Sequence, residues 1–170
     1  FRERIRINAE PAPLSLLEEA YEKMDKGALA QASYFELLTV LGLYLFQNVD
    51  IMILEAGLGG RFDATRCGRC EHVILTGIEL EHTEILGRTE AEIIREKLAI
   101  SGPWSRSLYV YSSVSAELVA KAAAELPQNV MIHHSCRERT LNYLEDNFRE
   151  IGDFLQITPG LEDIQSGANP

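Results

Sequence analysis

The stretch that most constrains the fold of this chain runs from Asp50 to Thr65 and reads DIMILEAGLGGRFDAT. Its apolar run, Ile51 to Leu54, is typical of a strand that is buried on both faces of a parallel sheet. Such a strand ends at Glu55, and the C-terminal ends of parallel strands form the edge where open α/β sheets bind ligands. The glycines that follow allow the backbone to approach a ligand closely. The stretch therefore predicts a binding edge, with an ordinary strand end and a flexible loop as the alternative.

Predicted strands and helices alternate along the rest of the chain. Strands are predicted near 50–55, 72–77, 107–112 and 129–133, and helices near 14–26, 33–47, 90–100 and 115–126. Such alternation specifies a parallel sheet with right-handed crossovers. We therefore predict an α/β fold with a mainly parallel sheet and helices on both of its faces.

Helix boundaries follow from local signals. Ser33 and Thr89 are each followed three residues later by glutamate, the capping-box pattern that opens a helix. Gly27 is expected to end the first helix. We expect one domain over residues 1–150 and a loop-rich tail, with many Gly, Pro and Asp residues, over 151–170.

Two further polar groups are predicted near the same sheet edge as Glu55. His82 lies in a polar loop after the predicted strand 72–77, and Lys97 lies late in the helix that Thr89 opens. We expect Glu55, His82 and Lys97 to converge there. Taken singly, His82 is better explained as a surface loop histidine, and Lys97 can be explained as a solvated last-turn lysine that complements the helix dipole.

Composition excludes several classes of function. The net charge of −10 over 170 residues argues against a nucleic-acid surface, which needs a basic face. No apolar run approaches the roughly 20 residues of a membrane span, and the start FRERIR lacks the apolar core of a signal peptide. Three cysteines without a secretory signal fit a reducing cytoplasm.

A zinc site is a rival interpretation of part of the chain. Cys67 and Cys70 form a CxxC pair, and His133, His134 and Cys136 cluster later. The long spacing between these halves and the lack of a second CxxC disfavour structural zinc or redox chemistry.

Four motifs in order carry a family resemblance: Y34-F-E-L-L-T39, L54-E-A-G-L-G-G-R-F-D-A-T65, T76-G-I-E-L-E-H-T-E-I-L-G87 and E96-K-L-A-I100. Together they resemble the central ATPase domain of folylpolyglutamate synthase/dihydrofolate synthase, of the Mur ligase superfamily. The opening residues 1–11 are also similar to this family, and the resemblance covers about residues 1–101.

The resemblance implies an ATP-dependent ligase that adds glutamate to folate or dihydropteroate through an acyl phosphate. It implies ATP as co-substrate, Mg²⁺ as cofactor and a monomeric parent enzyme, with no nucleic-acid or membrane partner. Glu55 and His82 would be Mg²⁺ ligands, and Lys97, carbamylated by CO₂, would ligate a second metal; an unmodified Lys97 would instead pair with Glu55, Glu79 or Glu81. Lys97 and His82 are thus the expected catalytic residues. Four further positions match the family's pterin pocket: Ser33, Phe35, Asp63 and Ala64.

Several features depart from the family pattern. Glu79 and Glu81 add negative charge near the expected metal site, Arg66 follows DAT in place of Asn, and Ala99 replaces a glycine that would suit a left-handed helix end. No segment matches the phosphate-binding loop GxxxxGK[ST], so this chain alone is expected to be inactive. Two functions stay open: part of a folate ligase, or a degenerate, non-catalytic domain of the same fold that acts by binding or assembly.

Overall fold

The computed structural model of the protein describes residues 2–111, 113–127 and 130–135. The tail predicted over residues 151–170 lies outside these ranges, as does the end of the domain predicted over 1–150. The division of the chain into those two parts therefore stays a prediction.

The first third of the described chain is a small hairpin followed by helices. After a 3₁₀ turn at Arg2–Arg4, the elements are β1 (Arg6–Ile7), β2 (Glu10–Pro11), α1 (Leu14–Glu22), α2 (Lys26–Leu29) and α3 (Tyr34–Leu45). The two short strands pair antiparallel. Apolar side chains that flank this hairpin form a first core with those of α1 and α3: Ile5, Ala12, Leu17, Ala20, Leu38 and Leu41.

The single helix predicted over residues 14–26 is wrong at its C-terminal end. Helix α1 stops at Glu22, and Asp25 then caps a second short helix by accepting the amide of Gly27 at 2.8 Å. Gly27 therefore lies inside α2 and does not terminate α1. The side-chain oxygen of Asp25 satisfies free amides of a new helix start, which is why the chain turns there.

Helix α3 confirms the capping-box prediction. The Ser33 hydroxyl accepts the amide of Glu36 at 3.3 Å, and the Glu36 carboxylate accepts the amide of Ser33 at 2.7 Å. These reciprocal bonds fix the first turn of the helix.

The second part of the described chain is a three-stranded parallel sheet with helices. Its elements are β3 (His72–Leu75), α4 (Thr83–Leu86), α5 (Glu90–Leu98), β4 (Ser107–Tyr111), α6 (Ala116–Ala123) and β5 (Met131–Ser135). The strand order is β3-β4-β5, with both pairs parallel and β4 buried along its whole length. A parallel sheet flanked by helices is confirmed, and the short helix α4 is an addition that the sequence did not predict.

A second core lies between this sheet and its two longer helices. It contains side chains from β3, β4, α5, α6 and the loop before α6: Leu75, Ile94, Leu98, Leu108, Val110, Val114, Val119 and Ala122. Helix α5 begins at Thr89, whose capping box with Glu92 is confirmed. The core thus holds α5 in place against the sheet, and its C-terminal turn supports the candidate site.

The strand predicted near 50–55 is wrong. Residues 51–56 adopt no regular secondary structure and make no backbone hydrogen bond to another described residue. Ile53 is 44% exposed, so the segment is not buried on both faces. Hydrophobicity alone does not make a strand, because the ladder hydrogen bonds need a neighbouring strand in register. No described strand pairs with this segment.

Candidate functional site

A buried carboxylate organises the glycine loop, residues 57–66, which follows residues 51–56. One oxygen of Asp63 accepts the amides of Gly57 at 2.8 Å and Leu58 at 2.9 Å. The other oxygen accepts both the amide and the hydroxyl of Thr65. An ionised carboxylate offers about four lone-pair sites, so these four bonds occupy them all. Asp63 also caps the 3₁₀ helix Ala64–Gly68, which leaves the loop with a defined shape.

Two of the residues predicted for a pterin pocket meet at Gly57. A Cβ atom placed on Gly57 would lie 2.8 Å from Cζ of Phe35, so only glycine leaves room for the aromatic ring at this point. The amide of the same glycine donates to Asp63. The structure therefore brings the start of α3 and the glycine loop together.

The other two predicted pocket residues lie on the elements that flank this contact. Ser33 is the exposed N-cap of α3, and Ala64 is half-buried at the start of the 3₁₀ helix. The hydroxyl of Ser33 is already engaged with Glu36. Contact of either residue with a substrate stays a prediction.

The glycine loop docks on the C-terminal half of α5. A Cβ atom on Gly60 would overlap the carbonyl oxygen of Lys97 and lie 2.9 Å from that of Glu96. Gly59 has a φ of +66°, a backbone conformation that glycine adopts without strain. The Arg61 side chain pairs with Glu96, with Nε 3.1 Å from Oε2. Close backbone approach and one ion pair together fix the loop against the helix.

Two departures from the family pattern have a structural explanation at this contact. Arg66 donates Nε to the carbonyl of Ala99 at 3.0 Å, which satisfies a free acceptor at the end of α5. Ala99 has φ −65° and ψ −3°, so it continues the right-handed turn. The helix therefore ends without the left-handed residue that a glycine would supply, and alanine fits there.

The residues predicted to bind metal occupy three different elements. Glu55 is exposed at the end of the irregular segment, His82 is exposed at the N-cap of α4, and Lys97 is half-buried on α5. His82 has φ 48° and ψ 38°, a left-handed conformation that is uncommon outside glycine. Strained backbone of this kind is concentrated at functional sites. Convergence of the three groups on one metal stays a prediction.

One expectation for Lys97 is wrong. We expected its ammonium to pair with Glu55, Glu79 or Glu81, but it forms no ion pair within the described part of the chain. The donor chemistry nevertheless suits the implied group. Glu55 offers carboxylate oxygens, and an amine without an acidic partner is open to reaction with CO₂.

The described residues do not support the zinc interpretation. No group of three or more His, Cys, Asp or Glu side chains among them is placed to hold a metal ion. Burial raises the pKa of the Cys70 thiol, which disfavours the thiolate that zinc and redox chemistry require. His133 stacks on Tyr109 with ring centroids 4.9 Å apart, and His134 Nε2 lies 2.7 Å from the carbonyl of Val114. Cys136 lies outside the described residues.

A cavity behind the glycine loop was missed by sequence reasoning. It has a volume of about 230 Å³ and lies between the loop, the end of α5 and the end of α6. Three arginines line it, Arg61, Arg66 and Arg95. Arg61 and Arg66 flank Asp63–Thr65 in the sequence, but Arg95 lies on α5 in a different segment, and nothing in the sequence indicates that it joins them. Separately, no described helix is long and apolar enough to cross a membrane.

Curated proteins with similar sequences are folate ligases. The chain is 35% identical over 102 residues to a dihydrofolate synthase/folylpolyglutamate synthase of Haemophilus influenzae, and 36% identical over 104 residues to that of Escherichia coli. These alignments cover 59% of this chain but 23% and 24% of the relatives. A mitochondrial folylpolyglutamate synthase of Bos taurus aligns over 99% of the chain at 27% identity and over 27% of its own length. No protein-family model matches.

Solved structures with similar folds have the same names. Escherichia coli FolC in complex with DHPP and ADP aligns with a TM-score of 0.68 and 29% identity, over 79% of this chain and 32% of its own. A bifunctional folylpolyglutamate synthase/dihydrofolate synthase with Mn, AMPPNP and L-glutamate bound aligns with a TM-score of 0.65 and 29% identity, over 78% and 33%. The chain spans about a quarter of the curated relatives it matches and a third of these structures. In sequence and in fold, this chain is therefore related to a segment of folylpolyglutamate synthase/dihydrofolate synthase.

Proposed function

We propose that the chain is the central part of an ATP-dependent carboxylate–amine ligase that adds glutamate to folate or dihydropteroate through an acyl phosphate. The observation that carries this proposal is the contact of Phe35 with the glycine loop at Gly57, a loop that Asp63 holds in shape. The relatives that share this segment are named dihydrofolate synthase/folylpolyglutamate synthase. The alternative is a degenerate domain of the same fold that acts by binding or assembly.

In this proposal the pterin binds between α3 and the glycine loop. The half-buried ring of Phe35 offers an aromatic face to a flat heterocycle, with Ser33 and Ala64 beside it. The carboxylate of Asp63 already accepts four hydrogen bonds from the loop. We therefore assign Asp63 first to shaping the pocket, since a pterin N–H could bond to it only by sharing or displacing a loop donor.

The same proposal assigns Glu55 and His82 to Mg²⁺, and Lys97, as a carbamate, to a second metal. Bound Mg²⁺ supplies positive charge that offsets the repulsion between ATP and a substrate carboxylate. A bare ammonium has no lone pair for a metal, so Lys97 must first lose a proton and add CO₂. Its place on the C-terminal half of α5, half-buried and outside any described ion pair, suits that reaction.

Carbon-13 NMR tests the assignment of Lys97. We expect the chain to show a carbamate resonance in ¹³C-bicarbonate that Mg²⁺ strengthens. The variant Lys97→Arg keeps the positive charge but cannot form the carbamate, and it should lose the resonance. Lys121→Arg is the matched control, because Lys121 is an exposed lysine on a different helix, α6, where it pairs with Glu117. A resonance that survives in Lys97→Arg would refute the assignment.

A chimera distinguishes a ligase segment from a degenerate domain. The segment of the Escherichia coli enzyme that aligns with this chain is replaced by the chain's own residues. If the chain keeps ligase chemistry, the chimera should form the amide product, and Glu55→Gln should abolish that activity. A folded chimera that binds pterin but forms no product would favour the degenerate domain.

The remaining features of the parent enzyme are proposed on the same basis. We infer a cytoplasmic, monomeric enzyme whose residues 1–150 form a Mur ligase-like central domain, with 151–170 leading towards a C-terminal domain. Folate or dihydropteroate, glutamate and ATP are its small-molecule partners, and we propose no nucleic-acid or membrane partner. Sedimentation of the natural protein, with and without substrates, tests the oligomeric state.

A further inference from the structure

We propose that the cavity behind the glycine loop binds a small tetrahedral oxyanion of the phosphate type. The cavity is lined by Arg61, Arg66 and Arg95, by residues 99 and 101–103 after α5, and by residues 122 and 125–127 at the end of α6. Glu55, His82 and Lys97 are not among its lining residues. This site is therefore separate from the proposed metal site and does not rest on the ligase assignment.

The cavity has the size for a small anion. Its volume of about 230 Å³ lies below the roughly 300–1,000 Å³ of pockets that hold drug-sized ligands. Phosphate or a small phosphate monoester fits within this volume, whereas a nucleotide or a pterin with its side chain would extend out of it.

The charge balance of the cavity favours an anion. Three guanidinium groups face two carboxylates, because Arg61 pairs with Glu96 and Arg95 pairs with Glu125 at 2.8 Å. Arg66 pairs with no acidic side chain of the described residues and donates Nε to a backbone carbonyl. The local sum is three positive charges minus two negative charges, which leaves one positive charge in a chain whose net charge is −10.

The three arginines also have terminal N–H donors that no described residue accepts. A guanidinium carries five N–H donors, and the contacts of Arg61, Arg66 and Arg95 with described residues are made through Nε. Their terminal nitrogens are left for a ligand. Arginine forks match the oxygens of phosphate with two parallel hydrogen bonds, which makes this arrangement specific as well as attractive.

A buried hydroxyl is an independent sign of a missing ligand. Ser101 lines the cavity and is 4% exposed, yet its Oγ has no hydrogen-bond partner among the described residues. A buried polar atom without a partner costs free energy, so such atoms are rare in folded proteins. The Oγ atom has almost no accessible surface, so a phosphate oxygen would accept this hydroxyl once the Ser101 side chain turns towards the cavity.

Trp104 provides a built-in reporter for binding. It is the chain's single tryptophan, and the Cζ atom of Arg66 lies 5.3 Å from the centre of its ring. A ligand that draws the guanidinium away from the ring, or towards it, will change the tryptophan fluorescence.

The experiment is a fluorescence titration of the full chain with inorganic phosphate at constant ionic strength. We expect a saturable change in tryptophan emission that chloride at equal ionic strength does not produce. A parallel titration with glycerol phosphate identifies the source of the anion. Equal or tighter binding of the ester indicates a phosphorylated ligand, and weaker binding indicates the free ion.

Matched variants locate the site. Arg95→Gln should weaken phosphate binding about tenfold, because it removes a charged donor from the cavity. Arg106→Gln removes the same charge from an exposed pair with Glu71 outside the cavity and should leave binding unchanged. Ser101→Ala deletes only the orphan hydroxyl and should weaken binding by a smaller factor. Absence of saturable binding in the wild-type chain, or equal weakening by Arg95→Gln and Arg106→Gln, would overturn the proposal.

Discussion

The glycine loop, residues 57–66, and the segment before it, residues 51–56, are neighbours in sequence but differ in what holds them. The loop is fixed from within, because the Asp63 carboxylate accepts four hydrogen bonds from loop residues. It is also fixed from outside, because Gly60 packs against the backbone of α5. The segment makes no backbone hydrogen bond to a described residue. A side chain, Leu54, anchors it by packing against Gly68.

This difference separates two kinds of structural information. A short polar loop can satisfy its own amides, since donors and acceptor lie within a few residues of one another. A strand makes its backbone hydrogen bonds with another strand, whose residues can be distant in sequence. An apolar segment with four hydrophobic residues therefore stays irregular until a partner supplies the ladder.

The largest effect is expected for Gly60→Ala. The added Cβ would overlap the backbone of Lys97 in α5, and a backbone oxygen cannot move aside as a flexible side chain can. We expect the free energy of unfolding in urea to fall by about 3 kcal/mol. Gly77→Ala is the control, because no atom lies within 4 Å of a Cβ placed there. Equal losses in the two variants would mean that the loop does not dock on α5.

Hydrogen exchange compares the segment with the sheet directly. The amides of residues 51–56 should exchange at least about 100-fold faster than those of β4, because they lack backbone acceptors within the described chain. Mass spectrometry of peptides that cover the two stretches measures the difference. If the segment were as well protected as β4, it would have to be paired in solution, and the contrast with the loop would fail.

Asp63→Asn tests whether one carboxylate holds the loop. The amide keeps the shape of the side chain but turns one acceptor into a donor that faces the loop amides. We expect a loss of about 2 kcal/mol in unfolding free energy, since buried donors lose a charged acceptor. The amides of Gly57 and Leu58 should also exchange faster. Asp50→Asn, at an exposed residue, is the matched control and should change neither quantity.

The smallest effect concerns the helix on which the loop docks. The pKa of Glu92 is held below its usual value mainly by the backbone amide of Arg88, which donates to the Glu92 carboxylate at 2.7 Å. The Thr89 hydroxyl, which donates to the same carboxylate, is the next largest cause. A lowered pKa in the folded state stabilises the fold above the ordinary value of 4.5 and loses that effect as the pH falls through the lowered pKa. Glu92→Gln should therefore destabilise the chain at neutral pH, and the difference should vanish in acid.

Unfolding curves of wild type and Glu92→Gln at several pH values measure this effect. Glu90→Gln is the control on the same helical turn, since the Glu90 side chain makes no hydrogen bond with a described residue. A difference between wild type and Glu92→Gln that persists unchanged in acid would show that the capping bonds do not depend on the charge.

Local chemistry in the sequence was a reliable guide to the start of helices. The patterns at Ser33 and Thr89 predicted both capping boxes, because the donors and acceptors of a cap lie three residues apart. The end of α1 was predicted wrongly, because Gly27 is typical of the stop of one long helix, whereas Asp25 caps a new helix that contains Gly27. The positions of β3, β4 and α5 followed from hydrophobic period and length.

The candidate site divides in the same way. The glycine loop could be recognised from its glycines, and the resemblance matched Phe35 and Asp63 to pterin-pocket positions, but neither the four hydrogen bonds of Asp63 nor the contact of Phe35 with Gly57 was predicted. The cavity with its three arginines could not be predicted, because it exists only where the loop, α5 and α6 pack together.

The sequence by itself determined the α/β class, the capping boxes at Ser33 and Thr89, the presence of the glycine loop and the relation to folate ligases. Each depends on residues close together along the chain or on a specific ordered motif. Tertiary structure alone decided that residues 51–56 pair with no described strand, that Arg66 reaches the end of α5, and that Ser101 lines a cavity with a hydroxyl that no described residue binds. These outcomes depend on long-range packing, where the partner of each group is set by the whole fold and not by its neighbours in the chain.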